Sequence, residues 1–337
     1  MKIFSTVLVL VSITLLLGCN GCNRLNEERG HKKITVAQFG QDKYLIYLPF
    51  YLAMEKGFFR DEGLDIHIKY SGNDDQVFAT VLKGEAQFGI GDPIFTAISR
   101  EKGAKGKVVA SIVDGVSVWG ITKKNIKRIE KVDDLAGLKI GTFPAPSTVY
   151  TLIRNTINVN KVKLGKTDVV QAPIGSGIAL LENGSADIAM ALEPDASIAE
   201  SKGYTIVYSM AKFYGSFAFT GVTTTEDYIK SDKQTVQNFV NAIERALQYV
   251  RGNQDSTVVV AQHLFPEIDK KVIANAVARM IVDNTIPHHV NISKEGWQQA
   301  MIIRQQIGDI SIITALEDAV DTSFSSYAKN KICLTNQ

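Results

Sequence analysis

Hydrophobic positions fall along this chain in three regimes. The first is a block: Lys2 is followed by an almost unbroken apolar run from Ile3 to Leu17, closed by Gly18-Cys19. A positive start, an apolar stretch short for a bilayer span and a small residue before the cysteine predict an export signal over residues 1–18. The second regime is its opposite. Residues 20–33 carry almost no apolar side chains, which predicts a flexible tether over 19–33. From Ile34 onward a third regime begins, in which the apolar period switches repeatedly between two and 3.6, so strands and helices should follow one another.

Ile34 to Ala37 reads as the first short strand. Pro49 then opens a helix striped by Phe50, Ala53 and Met54, and Gly57 ends it as a left-handed cap. Leu64, Ile66, Ile68 and Tyr70 alternate with polar residues, the signature of a strand. Asn73 or Asp74 caps the next helix, which carries Val77, Phe78, Val81 and Leu82 and stops at Gly84. Further strands are predicted over 87–90, 107–113, 118–122, 138–141, 168–171 and 187–191. Helices are predicted from Asp92-Pro93, from Ser147 and over 178–183. Beyond about Gly221 the texture changes, and 232–251, 255–263, 267–281 and 293–307 all read as amphipathic helices. The alternation predicts an α/β fold with crossover connections.

One segment is echoed. Leu82 to Ile90 runs as helix end, Gly84, Ala86 and a buried strand into Asp92-Pro93. Leu181 to Ala189 repeats that order through Gly184 and Ala186 into Glu193-Pro194. Two units of similar construction, each presenting an acid at the carboxyl end of a strand, follow from the echo. Open α/β sheets bind ligands outside those ends. The length after the signal also exceeds what one hydrophobic core holds, which again predicts two lobes.

Composition narrows the function. The hydrophobic fraction is 45%, the charged fraction 21% and the formal net charge +2, with no basic tract interleaved with aromatics, so nucleic acid is excluded as a partner. The 3 cysteines are Cys19, Cys22 and Cys333. Cys19-x-x-Cys22 lacks a second pair or a nearby histidine to complete a metal or redox site. No phosphate-cradling loop, nucleophile elbow or H-E-x-x-H helix appears, so no cofactor, metal or catalytic residue is expected.

Leu16-Leu17-Gly18-Cys19 resembles the lipobox of bacterial lipoproteins, which implies lipidation at Cys19 and an extracytoplasmic, membrane-anchored body. A diacylglyceryl cysteine supplies at least two chains, enough for stable anchoring. Pro49 to Phe59, followed by Glu62-Gly63-Leu64, resembles the "P-x-x-x-A-x-x-x-G-x-F…E-G-L" hallmark of the NMT1/THI5-like and SsuA-like solute-binding proteins. Gly84 to Gly91, Asp134 to Gly141 and Gly184 to Pro194 also resemble that family, in order, over about residues 34–250.

The resemblance implies the periplasmic-binding-protein type II fold, with two lobes, each a mixed sheet flanked by helices, and two hinge strands. Lobe one would take 34–117 and 217–330, and lobe two 118–216. It also implies a monomeric receptor that delivers a small molecule to the permease subunits of an ABC importer. The contacts it carries over are Phe39, Tyr44, Tyr47, Gly72, Asn73, Asp92, Pro146, Ser147, Thr148 and Glu193, with Trp119 and Tyr214 near the hinge strands. Ser147 and Thr148 place hydroxyls and free N–H groups at a helix start, suited to an anionic group. Asp92 and Glu193 would pair with an amine, pointing to a taurine-like aminosulfonate or a pyrimidine precursor of thiamine. A nitrate- or sulfonate-type anion receptor is the alternative, as is a ligand sensor for a membrane partner. A pyrimidine-synthesis enzyme of the THI5 type is more remote, because that type needs a cysteine-rich iron site and an active-site histidine.

Overall fold

In the computed structural model, which describes residues 30–335, ten strands form two five-stranded sheets. The first contains β1 (Lys32–Gln38), β2 (Leu64–Tyr70), β3 (Phe88–Gly91), β4 (Gly106–Asp114) and β10 (Ala218–Thr225), in the order β2-β1-β3-β10-β4. The second contains β5 (Trp119–Thr122), β6 (Lys139–Thr142), β7 (Asp168–Gln171), β8 (Ile188–Ala191) and β9 (Thr205–Ser209), in the order β7-β6-β8-β5-β9. Both sheets are mixed in the same way. Three neighbouring strands run parallel, and the fourth, β10 or β5, lies antiparallel to those on either side.

The sequence echo now has a place. β3 and β8 hold the third position of their sheets, each fed by a helix ending at a glycine and each followed by an acid-proline turn. The fourth-position strand enters from the opposite unit: β5 follows directly after β4, and β10 returns the chain from the second sheet to the first. The second sheet is thus built from one continuous stretch of chain, and the first is completed by β10 after the chain returns.

Most predicted elements stand where the periodicity puts them. Gly57 has φ +74°, the left-handed value that a residue with a Cβ adopts at a cost. At the start of the helix Asp74–Leu82, the backbone N–H of Asn73 donates to Gln76 Oε1 at 3.2 Å, one arm of a capping box. Beyond β10, the main helices are Lys233–Gly252, Gln254–Leu264, Lys270–Val282, Lys294–Gln306 and Thr322–Thr335. In the first of these the buried stripe from Val236 to Val250 packs on the first lobe, where Phe239 stacks on Phe88 at 4.2 Å between centroids. Fully burying such a ring stabilises by about 3 kcal/mol.

Two strands were not anticipated from the sequence. β10 is rich in threonine and lies inside its sheet between β3 and β4, where Gly221 faces the Ala110 carbonyl and Pro93. β9 is short and follows a Gly203 turn. Cys19, Cys22, the expected export signal and most of the expected tether lie outside the described residues.

Candidate functional site

The loops at the carboxyl ends of the parallel strands of both sheets converge on one cleft. From the first lobe come Phe39, Tyr44 and Tyr47 after β1, Gly72 to Asp74 after β2, and Asp92 after β3. From the second come Phe143 to Thr148 after β6, Pro173 and Ile174 after β7, and Leu192 after β8. The cleft comprises an outer chamber of about 360 Å³ and an inner one of about 50 Å³, which share Phe39, Asp74, Phe143, Ser147 and Ile174.

Its walls are aromatic and apolar. Phe39 and Tyr44 touch at 5.7 Å between ring centroids, and Phe143 and Ile174 lie in the facing wall. Tyr47 is 2% exposed and lines the inner chamber together with Phe219 of β10. Such a slot suits a flat organic group.

The floor is polar and charged. Asp74 Oδ1 accepts the backbone N–H of Asp92 at 2.7 Å, the one hydrogen bond that the Asp74 side chain makes among the described residues. Burial, and then the neighbouring Asp92 charge, push the Asp74 carboxyl up to about 7. Gly91 is required beside it, since a Cβ there would lie 2.6 Å from Asp74 Oδ1. Asp92 is differently placed. Its Oδ1 accepts the Ile94 N–H at 2.9 Å, and its Oδ2 accepts from the Thr148 hydroxyl and, at 3.1 Å, from Arg304 Nη2. Burial raises its pKa while Arg304 and these donors oppose the rise.

Arg304, on the helix Lys294–Gln306, is 2% exposed and spans both lobes. Besides Asp92 it donates to Thr148 Oγ1 at 3.0 Å, Thr151 Oγ1 at 3.1 Å and Asp309 Oδ2 at 2.7 Å. Ser147 caps its helix by accepting the Tyr150 N–H at 3.3 Å, and both Ser147 and Thr148 line the inner chamber.

Of the residues expected from the sequence, Phe39, Tyr44, Tyr47, Gly72, Asn73, Asp92, Pro146, Ser147 and Thr148 are brought together here. Three are not. Glu193 is fully buried and its carboxylate is taken by Arg279 Nε at 2.8 Å and by the Ser197 N–H and hydroxyl, so it is an internal anchor without an oxygen turned to the cleft. Trp119 donates its indole N–H to Asp283 at 2.7 Å and lines a separate surface groove. The Tyr214 hydroxyl lies 2.7 Å from Thr156 Oγ1 and bonds the Leu152 carbonyl, facing the helix Thr148–Val159 instead of the cleft.

Asp74 and Arg304 were the residues sequence reasoning missed. Asp74 was read only as a helix cap. Arg304 left a signal: with Trp297, Ala300 and Met301 it occupies one face of its helix, where a charge on an otherwise buried stripe demands a buried partner.

This architecture has known relatives. The NMT1/THI5-like family model matches residues 46–257, most of the two-lobed body. The chain belongs to that family. Among curated relatives it is 23% identical to the putative binding protein YtlA of Bacillus subtilis, over 89% of this chain and 90% of that protein. A 4-amino-5-hydroxymethyl-2-methylpyrimidine phosphate synthase of Saccharomyces cerevisiae, THI13, is 24% identical over 60% of this chain and 63% of its own. Among solved structures, the periplasmic aliphatic sulphonate binding protein SsuA of Escherichia coli shares the fold with a TM-score of 0.67 at 14% identity, covering 86% of this chain and 92% of that one. No helix among the described residues is long and apolar enough to cross a membrane.

Proposed function

We propose that this family member is an extracytoplasmic solute receptor, lipid-anchored at Cys19, that delivers a small organic ligand to an ABC importer. The observation that carries the reading is the cleft between two like-built lobes, fed by the carboxyl ends of both sheets' parallel strands. The full-length similarity to a putative binding protein supports it. The lobes are taken as 34–117 with 217–330 and 118–216, moving about the connections near Val116 and Phe217.

The charge pattern favours a ligand with an amine or amidine group. Asp74 offers a carboxylate with one hydrogen bond among the described residues, while the buried Arg304 guanidinium at the floor is engaged by Asp92 and Asp309. A bare anion entering there meets two carboxylates and no uncommitted arginine. An aminopyrimidine stacked between Tyr44 and Phe143 with its amine toward Asp74 fits, and an aminosulfonate fits if its anionic end reaches the start of the helix Thr148–Val159. The similarity to pyrimidine phosphate synthases covers only part of those enzymes. Among the described residues no histidine lines either chamber, and a binding role without catalysis is the better account.

Calorimetric titration with formylaminopyrimidine, taurine, an alkanesulfonate and nitrate tests this. Binding of an amine-bearing solute is expected. Tight nitrate binding with neither amine bound would overturn the charge argument, and no uptake of any small solute would overturn the receptor.

A further inference from the structure

We infer that Arg304 is a positioning residue that divides the work between the two acids of the cleft, fixing Asp92 as an anion of the framework and leaving Asp74 to meet the ligand. This deepens the receptor reading and rests on it only for the word ligand, because the geometry stands without one.

The two carboxylates are linked, since the backbone N–H of Asp92 is the donor to Asp74. Two like charges so close and so little hydrated do not both stay ionised cheaply, and the first proton goes to the less supported one. Asp92 is the better supported. The Ile94 N–H, the Thr148 hydroxyl and Arg304 engage both of its oxygens, three donors against the single one on Asp74. Asp74 has the Asp92 N–H alone and opens on both chambers. The other charged or titratable groups that bear on the pair are Asp75 on the same helix as Asp74, Tyr47 ahead of the helix Leu48–Glu55, and Asp309, which holds the far side of the guanidinium. Arg304 is a cation that acts on both acids.

The same guanidinium ties the assignment to lobe geometry. Asp92 belongs to the first lobe, whereas Thr148 and Thr151 lie on the helix after β6 of the second. A fork with four oxygen partners from three elements exploits the planar guanidinium; a lysine ammonium in its place supplies the charge without the fork.

The test is a carbon-13 NMR titration of aspartate carboxyls in the ligand-free full chain. In the unaltered protein the Asp74 carboxyl carbon should shift first on acidification, with Asp92 following at lower pH. In Arg304→Met the gap between the two should close by roughly one pH unit or more, the usual effect of removing an adjacent opposite charge. Arg304→Lys should restore most of the gap, which a purely structural loss would not do. If Arg304→Met does not fold, Arg304→Lys against the unaltered protein still reads the effect of losing the fork, since the gap should then narrow measurably. Asp92→Asn checks the coupling that the division of work needs: freed from its neighbour's charge, Asp74 should then protonate at lower pH. Asp92 protonating first, a gap unchanged in Arg304→Met, or an Asp74 transition unmoved in Asp92→Asn would each overturn the inference. None of those results bears on whether a solute binds, and failure of every solute to bind would leave the order of protonation standing.

Discussion

A single carboxylate carries two opposed consequences. With its native pKa raised to about 7 from the ordinary 3.8, Asp74 makes the folded chain hold a proton that the unfolded chain has already released. Stability therefore falls as pH rises between those two values and stays reduced above them, because the native state binds the extra proton only in that window. Binding of an amine has the opposite dependence, since it needs Asp74 ionised. Asp74→Asn should therefore flatten the decline in thermal midpoint between about pH 4 and 7. It should also weaken binding of an amine-bearing solute by roughly 10- to 100-fold at pH 8, the usual weight of a charge-assisted hydrogen bond. A thermal-shift series across pH with parallel calorimetry checks both. Gly91→Ala should reproduce the binding loss in part, because its Cβ would press on the same oxygen. Asp74 was visible in the sequence as an acid at a helix start. Its chemistry was not, because burial and the approach of Asp92 depend on how β2 and β3 sit in one sheet.

At the level of elements, the acid-proline turns after β3 and β8 look alike in sequence and have diverged in use. The Asp92 turn faces the cleft, while the Glu193 turn faces the helix Lys270–Val282, where Arg279 meets both Glu193 and Glu200. Which neighbour covers an acid is a matter of what packs on that lobe, and the pattern along the chain contains no record of it. Glu193→Ala should cost about 3 kcal/mol in urea unfolding, as expected for a buried pair that loses one partner, and leave solute affinity nearly unchanged. A large loss of affinity without a loss of stability would return Glu193 to the ligand site. The missed strands have a similar cause. β10 is built of small and β-branched residues without an alternating apolar face because both of its faces are covered, so period-two reasoning finds nothing to count.

For the whole molecule, the cross-lobe contacts of the C-terminal helices bear on closure. Asn155 Nδ2 donates to Gln306 Oε1 at 3.0 Å, and Gln299 donates to the Tyr214 carbonyl at 2.9 Å. If these and the Arg304 fork favour the closed form, Asn155→Ala combined with Thr151→Val should enlarge the ligand-free particle in small-angle scattering. It should also lower solute affinity by the fraction of closed molecules lost. An unchanged scattering profile would place closure elsewhere. The proposed anchoring is tested separately: Cys19→Ala should move the protein from the detergent phase to the aqueous phase in a cloud-point partition and abolish lipid labelling. Retention in the detergent phase would count against the lipid anchor.

Along the chain, local period, glycine caps and the repeated helix–glycine–strand–acid order determined the α/β class and the existence of two similar lobes, while the loops expected to meet between them came from the family resemblance. The first two are properties of neighbouring residues, and short-range sterics and hydrophobic spacing suffice to specify them. Tertiary structure alone decided which acid faces the cleft, that an arginine more than two hundred positions from Asp92 lies against it, and that Glu193, Trp119 and Tyr214 turn elsewhere. Those outcomes depend on desolvation and on charge partners brought together from distant segments, and no local pattern encodes either.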